Sequence, residues 1–192
     1  MMLANLQVTD YVATGRPADD DVAVLSTPLS DVLTQELDGA SDALGVSADD
    51  ILLAAFGRAI ARTIGEGVIA VDVAGHRRVH AVALSCVGPN QADATEMLAG
   101  VHHAAATVAL HQPTSTILFA YGDPEPARVG HVLELRAYRQ GETLVLDWWY
   151  DARSFEPYTV EELSEQFPFA LIELTSEAAS PVMATAELAM AH

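Results

Sequence analysis

The sequence predicts one α/β domain, a mixed sheet with helices packed mainly on one face. Three observations predict it. With 192 residues, 51% of them hydrophobic, the chain is long enough to bury a sizeable core. Segments with apolar residues at helical spacing alternate with short β-branched runs. And the stretch from Ser47 to Arg78 reads as a complete unit of capped helix, glycine stop, buried strand and histidine-bearing turn.

Residues 1–21 form a lead-in, with a weak strand candidate and then the polar breaker GRPADDD. DVAVLST alternates as a strand does. Ser30 opens a helix to about Leu44, with Val32, Leu33, Leu37 and Ala40 facing inward and Gly45 ending it. Ser47 is the expected N-cap of the next helix, and Asp49 and Asp50 place negative charge at the positive end of its dipole. Ile51, Ala55 and Ala59 lie on one line, and Leu52, Phe56, Ile60 and Ile64 on the next, giving a broad apolar face. Gly65 and Gly67 end that helix, and VIAVDVA follows as a mostly buried strand.

HAVALSCV is a second strand of this central unit, broken by Gly88-Pro89-Asn90. Asp93 caps an alanine-rich helix to about Leu110, and STILFAY is the next strand. His131 to Arg139 and Thr143 to Tyr150 form a hairpin around Gln140-Gly141. Adjacent Trp148 and Trp149 must then point to opposite faces. Thr159 and Glu162 make a capping box for the last helix, whose inner face is Leu163, Phe167, Ala170, Leu171 and Leu174. Pro168 predicts a kink or break in it. The main body is expected to span residues 22–179, with a tail over 180–192.

Composition excludes several classes. The 27 acidic and 9 basic residues give a net charge of −18, which argues against nucleic acid and against anionic membrane surfaces. No apolar stretch approaches the ~20 residues that span a bilayer, and MMLANLQVTD lacks the basic flank of a signal peptide. The single cysteine, Cys86, permits no disulfide frame and no cysteine zinc site. Cys86 lies in an apolar run and reads as a buried structural thiol. A cytoplasmic location is the expectation.

Four stretches resemble the condensation and epimerisation-type domains of nonribosomal peptide synthetases, within the chloramphenicol-acetyltransferase-like superfamily. SADDILLAAFGRAIAR is similar to that family's "v-N-D-v-L-L-a-A-l-a-r-A" helix, VIAVDVAGHRR to its strand ending in G-H-G-R-E, and STILFAYGD to its F-N-Y-L-G strand. LELRAYRQGETLVLDWWYDARSF resembles its late hairpin, with the helix TVEELSEQF after it. The order covers residues 22–175 and implies the family's C-terminal half, a two-layer sandwich. There are departures: Arg77 replaces the glycine of G-H-G-R-E, Val79 replaces its glutamate, and Ala120 replaces the asparagine of F-N-Y-L-G.

The resemblance implies acyl-transfer chemistry carried by H-H-x-x-x-D-G in the other half, and that half is not expected within this sequence. His102-His103 begins the same way, but Thr107 and Val108 stand where aspartate and glycine should be. On a helix the two histidines point about 100° apart. His103 and His76 are therefore weak catalytic candidates, with a surface role for His103 and a loop-stabilising role for His76 as the default readings.

The resemblance makes Gly75, His76, Arg77, Arg78 and Tyr121 the substrate-binding candidates, and it implies contact with a carrier protein's phosphopantetheine. For Arg77 and Arg78 a salt bridge to Asp72 is an equal reading. His80, His111 and His131 are placed to join His76 at a cleft, but no metal-binding spacing lies on a helix, so neither a metal nor a resident cofactor is expected.

The expected function is a condensation-like half-module that is not catalytic alone. Its expected partners are a second copy or a complementary lobe, and a carrier protein. The alternatives are a free-standing acyltransferase acting on a carrier-bound thioester, and a piece of a longer synthetase.

Overall fold

The computed structural model describes residues 4–74, 79–107, 115–122, 125 and 130–178. A 3-10 turn at Asp19–Asp21 leads into β1 (Val22–Pro28), α1 (Asp31–Leu44), α2 (Ala48–Thr63), β2 (Gly67–Ala74) and β3 (Val79–Cys86). Then come α3 (Ala94–Ala106), β4 (Ile117–Tyr121), β5 (Leu133–Gln140), β6 (Thr143–Asp151) and α4 (Pro157–Glu177). The six strands form one sheet in the order β1-β6-β5-β4-β2-β3. β4 runs parallel to β2 and β5, and the other pairings are antiparallel. This is the mixed two-layer α/β sandwich that the sequence predicts.

Register decides which side chains share a face, because residues paired across strands point the same way. One row runs Leu25, Trp148, Leu135, Phe119, Val73, His80 across all six strands. It faces the helices: Trp148 is fully buried and meets Phe56 of α2 and Phe167 of α4 edge-on, with centroids 6.0 and 5.8 Å away. The next row runs Val24, Trp149, Glu134, Leu118, Asp72, Ala81 and faces the other way. The two tryptophans are thus divided between faces, as strand alternation requires.

α2 is buried from Asp50 to Ile60, not on one stripe only, because α1, α3, α4 and β3 pack around it. Such a helix must satisfy any polar group it carries. Arg58 is 0% exposed. It donates to the carbonyls of Val87 and Ala92, the latter at 2.8 Å, and lies 3.1 Å from Glu173 of α4. Burial pushes its pKa below the usual guanidinium value, with Glu173 opposing.

α2 also approaches β3 closely at Gly57, where an added Cβ would sit 2.9 Å from both Met97 Cε and the Ser85 carbonyl oxygen. Met97 can swing away, but a backbone oxygen in a paired strand cannot. Gly57→Ala is therefore expected to destabilise by about 1–3 kcal/mol despite alanine's better helix propensity, read by urea unfolding.

Several local expectations change. Ser30 caps α1 as expected, accepting from the Leu33 amide at 3.2 Å, but Val32 is exposed. Ser47 occupies the N-cap of α2 without a side-chain cap bond, so its hydroxyl does not do the capping expected of it. Asp93 and Glu96 form a reciprocal capping box on α3. The expected end of that helix at Val108–Leu110 lies outside the described residues.

Thr159 and Glu162 do not cap α4, which begins at Pro157 with Glu156 as N-cap. Proline at the first helical position has a preset φ and no N–H to satisfy. The Thr159 amide that the expected box needs donates instead to the Glu156 carbonyl at 3.0 Å, and the Glu156 amide is held by Asp10 Oδ2 at 2.9 Å. Pro168 does not break α4, which continues to Glu177. Val160, Leu163, Phe167, Ala170, Leu171 and Leu174 hold both sides of it against the core, and that packing outweighs the lost hydrogen bond.

Candidate functional site

The sheet face away from the helices carries a run of buried charge. Asp72 of β2 and Glu134 of β5 stand in one register row with Leu118 of β4 between them. Two strand spacings separate the carboxylates by roughly 10 Å. His131, just before β5, spans that gap. Its Nε2 lies 2.9 Å from Asp72 Oδ2, and its Nδ1 lies 3.7 Å from Glu134 Oε1, an ion-pair distance longer than a hydrogen bond. Arg136 Nε lies 3.2 Å from Glu134 Oε2. Glu134, Arg136 and the His131 side chain are all at least nine-tenths buried. Beside them a cavity of about 520 Å³ is lined by Arg16, Asp19, Val22, His131, Glu134 and Trp149.

The His131 pKa is raised. The Glu134 carboxylate is the largest cause, burial opposes it, and the bond to Asp72 adds to the rise. Carboxylates that raise a histidine's pKa favour its protonated form, which makes it a poorer general base and a better strap. It ties β2 to β5 across β4.

The sign of the linkage follows. Stability from this strap is fully present below the unfolded histidine value of ~6.5 and is lost as pH rises through the elevated folded value. Urea midpoints measured from pH 5.5 upward should fall for the native chain, and His131→Gln should flatten that part of the curve.

Among the described residues no other histidine converges on this one. His80 sits in the helix-facing row, on the opposite side of the sheet from His131, with its Nε2 buried and unpartnered. Strand alternation, which nearness in sequence hides, separates the two. His102 and His103 are exposed on α3, and His102 pairs with Asp50 at the start of α2, Nδ1 to Oδ2 2.8 Å. His76 and His111 lie outside the described residues, as do Gly75, Arg77 and Arg78. Tyr121 ends β4 in the helix-facing set, half-buried against the core. Burial raises the Cys86 thiol to about 12, as suits a structural side chain. Among the described residues no group of three or more His, Cys, Asp or Glu is placed to hold a metal, and no helix is long and apolar enough to cross a membrane.

Sequence reading passed over the Asp72–His131–Glu134–Arg136 cluster and the buried Arg58. The signal present was LELR, two opposite charges at strand period between leucines. That pattern places Glu134 and Arg136 on one face but cannot tell that the face is buried.

No family model matches the sequence. The chain is 31% identical, over 223 aligned positions, to one component protein of the phenolphthiocerol/phthiocerol polyketide synthase of Mycobacterium tuberculosis, and equally to its counterpart in Mycobacterium bovis. The match covers 84% of this chain and 15% of those proteins, so the chain spans about one-seventh of their length.

Among solved structures it is similar to the epimerization domain from the third module of tyrocidine synthetase B, with TM-score 0.70 and 15% identity, covering 92% of this chain and 52% of that one. It is also similar to the condensation domain from the monacolin K polyketide synthase, with TM-score 0.63 and 12% identity, covering 92% and 53%. The X-domain in complex with OxyB from teicoplanin biosynthesis gives TM-score 0.64 at 13% identity, over 92% and 50%. A homologous stretch of a polyketide synthase and a shared architecture agree: this chain has the chloramphenicol-acetyltransferase-like fold of the condensation and epimerization domains of nonribosomal peptide synthetases, with the extent of about half of one.

Proposed function

We propose that these residues form one lobe, of the C-terminal kind, of a condensation-type domain in polyketide or nonribosomal peptide assembly. The lobe handles a carrier-bound acyl thioester only when a complementary lobe faces it. The observation that carries this reading is extent: 92% of the chain superposes on 52% of an epimerization domain. The chemistry supports it. Acyl transfer needs a base in its unprotonated form within reach of the attacking group. The carboxylates beside His131 raise its pKa, which disfavours the unprotonated form, and His103 is exposed on a helix where Thr107 replaces the aspartate of the family motif.

In this reading Gly75, His76, Arg77 and Arg78, which follow the end of β2, contact the phosphopantetheine arm, and the assembly works in the cytoplasm. The helix-free sheet face, where Val22 and Val24 are 39% and 50% exposed, meets the second lobe. Light scattering of the purified chain, and acyl transfer from an acyl-pantetheine thioester with and without a complementary lobe, test it. The expected result is self-association or pairing, with turnover only in the paired state. A monomer that turns over the thioester by itself, and loses activity in His76→Ala or His103→Ala, would establish the free-standing acyltransferase instead.

A further inference from the structure

β3 is one edge of the six-stranded sheet, and among the described residues it lacks the usual protections of an edge. It pairs with β2 along all eight residues, and its outer N–H and C=O groups have no strand partner among the described residues. Edges are normally blunted by charge, proline or a bulge. VHAVALSC contains no Lys, Arg, Asp, Glu or Pro, in a chain that is 19% charged. β1, at the opposite edge, ends in Pro28.

α3 runs beside this edge on the helix side. Between them lies a groove of about 430 Å³, lined by Ala83, Ser85, Glu96, Met97, Gly100 and Val101 among others. The strand beside it is small: Ala83 and Ser85 are exposed, with their side chains on the helix-free face, and nothing lies within 4 Å of where a Cβ on Gly100 would stand. The base of the groove is apolar at Met97 and Val101, and among the described residues its lining includes the acid Glu96 and no basic residue.

A second copy pairing edge to edge would bring its own α3 to the same side, beside this one. A bare strand meets no such obstacle. We propose that the groove takes an extended, basic peptide segment of a partner protein as a seventh strand, its backbone pairing with β3, an apolar side chain over Met97 and Val101, and a Lys or Arg at Glu96. This surface does not depend on the acyl-transfer reading above.

The test uses the full chain and a fluorescein-labelled peptide of alternating Lys and Val, read by anisotropy and by hydrogen exchange over residues 79–86. Saturable binding is expected, with slowed exchange in that segment. Methylation of alternate peptide amides should abolish it. Gly100→Phe, whose Cβ would stand in open space and whose ring would crowd the groove, should weaken it by about tenfold or more, while Gly100→Ala retains it. Circular dichroism confirms that both variants fold. The proposal is overturned by absence of saturable binding, by equal affinity in Gly100→Phe, or by unchanged exchange in 79–86, since the last two signify only attraction to an acidic surface. It is also overturned if the free chain is a dimer that Gly100→Phe dissociates, which would give the edge to a second copy.

Discussion

Trp148→Ala is expected to lower the unfolding free energy by about 3–5 kcal/mol, a large share of the 5–15 kcal/mol typical of a domain. The indole is 0% exposed at the middle of the helix-facing row, wedged between Phe56 and Phe167. Its Nε1 also donates to Thr27 Oγ1 of β1 at 3.2 Å, so truncation opens a cavity and removes one hydrogen bond from a hydroxyl that still donates to the Leu146 carbonyl. α2 and α4 are both long and rigid and cannot close onto the gap together. Urea unfolding should show the midpoint shift with an unchanged slope. Trp148→Phe, which keeps most of the volume, should lose well under half as much. Trp149→Ala, on the other face, should cost less than Trp148→Ala because that residue is only half-buried. Equal losses at 148 and 149 would contradict the division of faces.

Glu173→Ala is the second large effect, about 3–5 kcal/mol, because it leaves the Arg58 guanidinium buried without its counter-charge. Glu173 Oε1 lies 3.1 Å from Arg58 Nη2 without hydrogen-bond alignment, so that contact is electrostatic. Its Oε2 accepts from Arg62 at 2.5 Å. Arg58 cannot reach water, whereas the Arg62 side chain is 28% exposed and can. Arg62→Ala should therefore cost under about 1 kcal/mol, as partly exposed pairs do. The double variant Arg58→Met with Glu173→Leu should recover much of the loss from Glu173→Ala, since a buried ion pair replaced by apolar groups of similar size is often neutral. Failure of that rescue would mean that the Arg58 bonds to the carbonyls of Val87 and Ala92 carry the fold at this point.

The strands and most of the helices were legible because their signals are local. VIAVDVA and HAVALSCV became β2 and β3 within a residue or so at each end, and Ser30 and Gly45 bracketed α1 as cap residues should. The misreadings were also local, where a neighbour distant in sequence changed the balance. Asp10 binds the amide of Glu156, the N-cap from which α4 starts ahead of the expected Thr159 box, and the core held Pro168 inside an unbroken α4. The helix containing Arg58 read as having one broad apolar face, but three other helices bury it from Asp50 to Ile60.

Charge, composition and periodicity by themselves determined an acidic α/β sandwich with a central helix and strand, and the order of its motifs pointed to the condensation fold. Which charged residues meet was decided only by tertiary structure. Asp72 and His131 are 59 positions apart and Arg58 and Glu173 are 115 apart, so no periodic pattern connects them. Strand order brings the first pair together across β4, and helix packing buries the second. Period two assigns a residue to a face of a strand, but only the completed sheet and its layers show whether that face is wet.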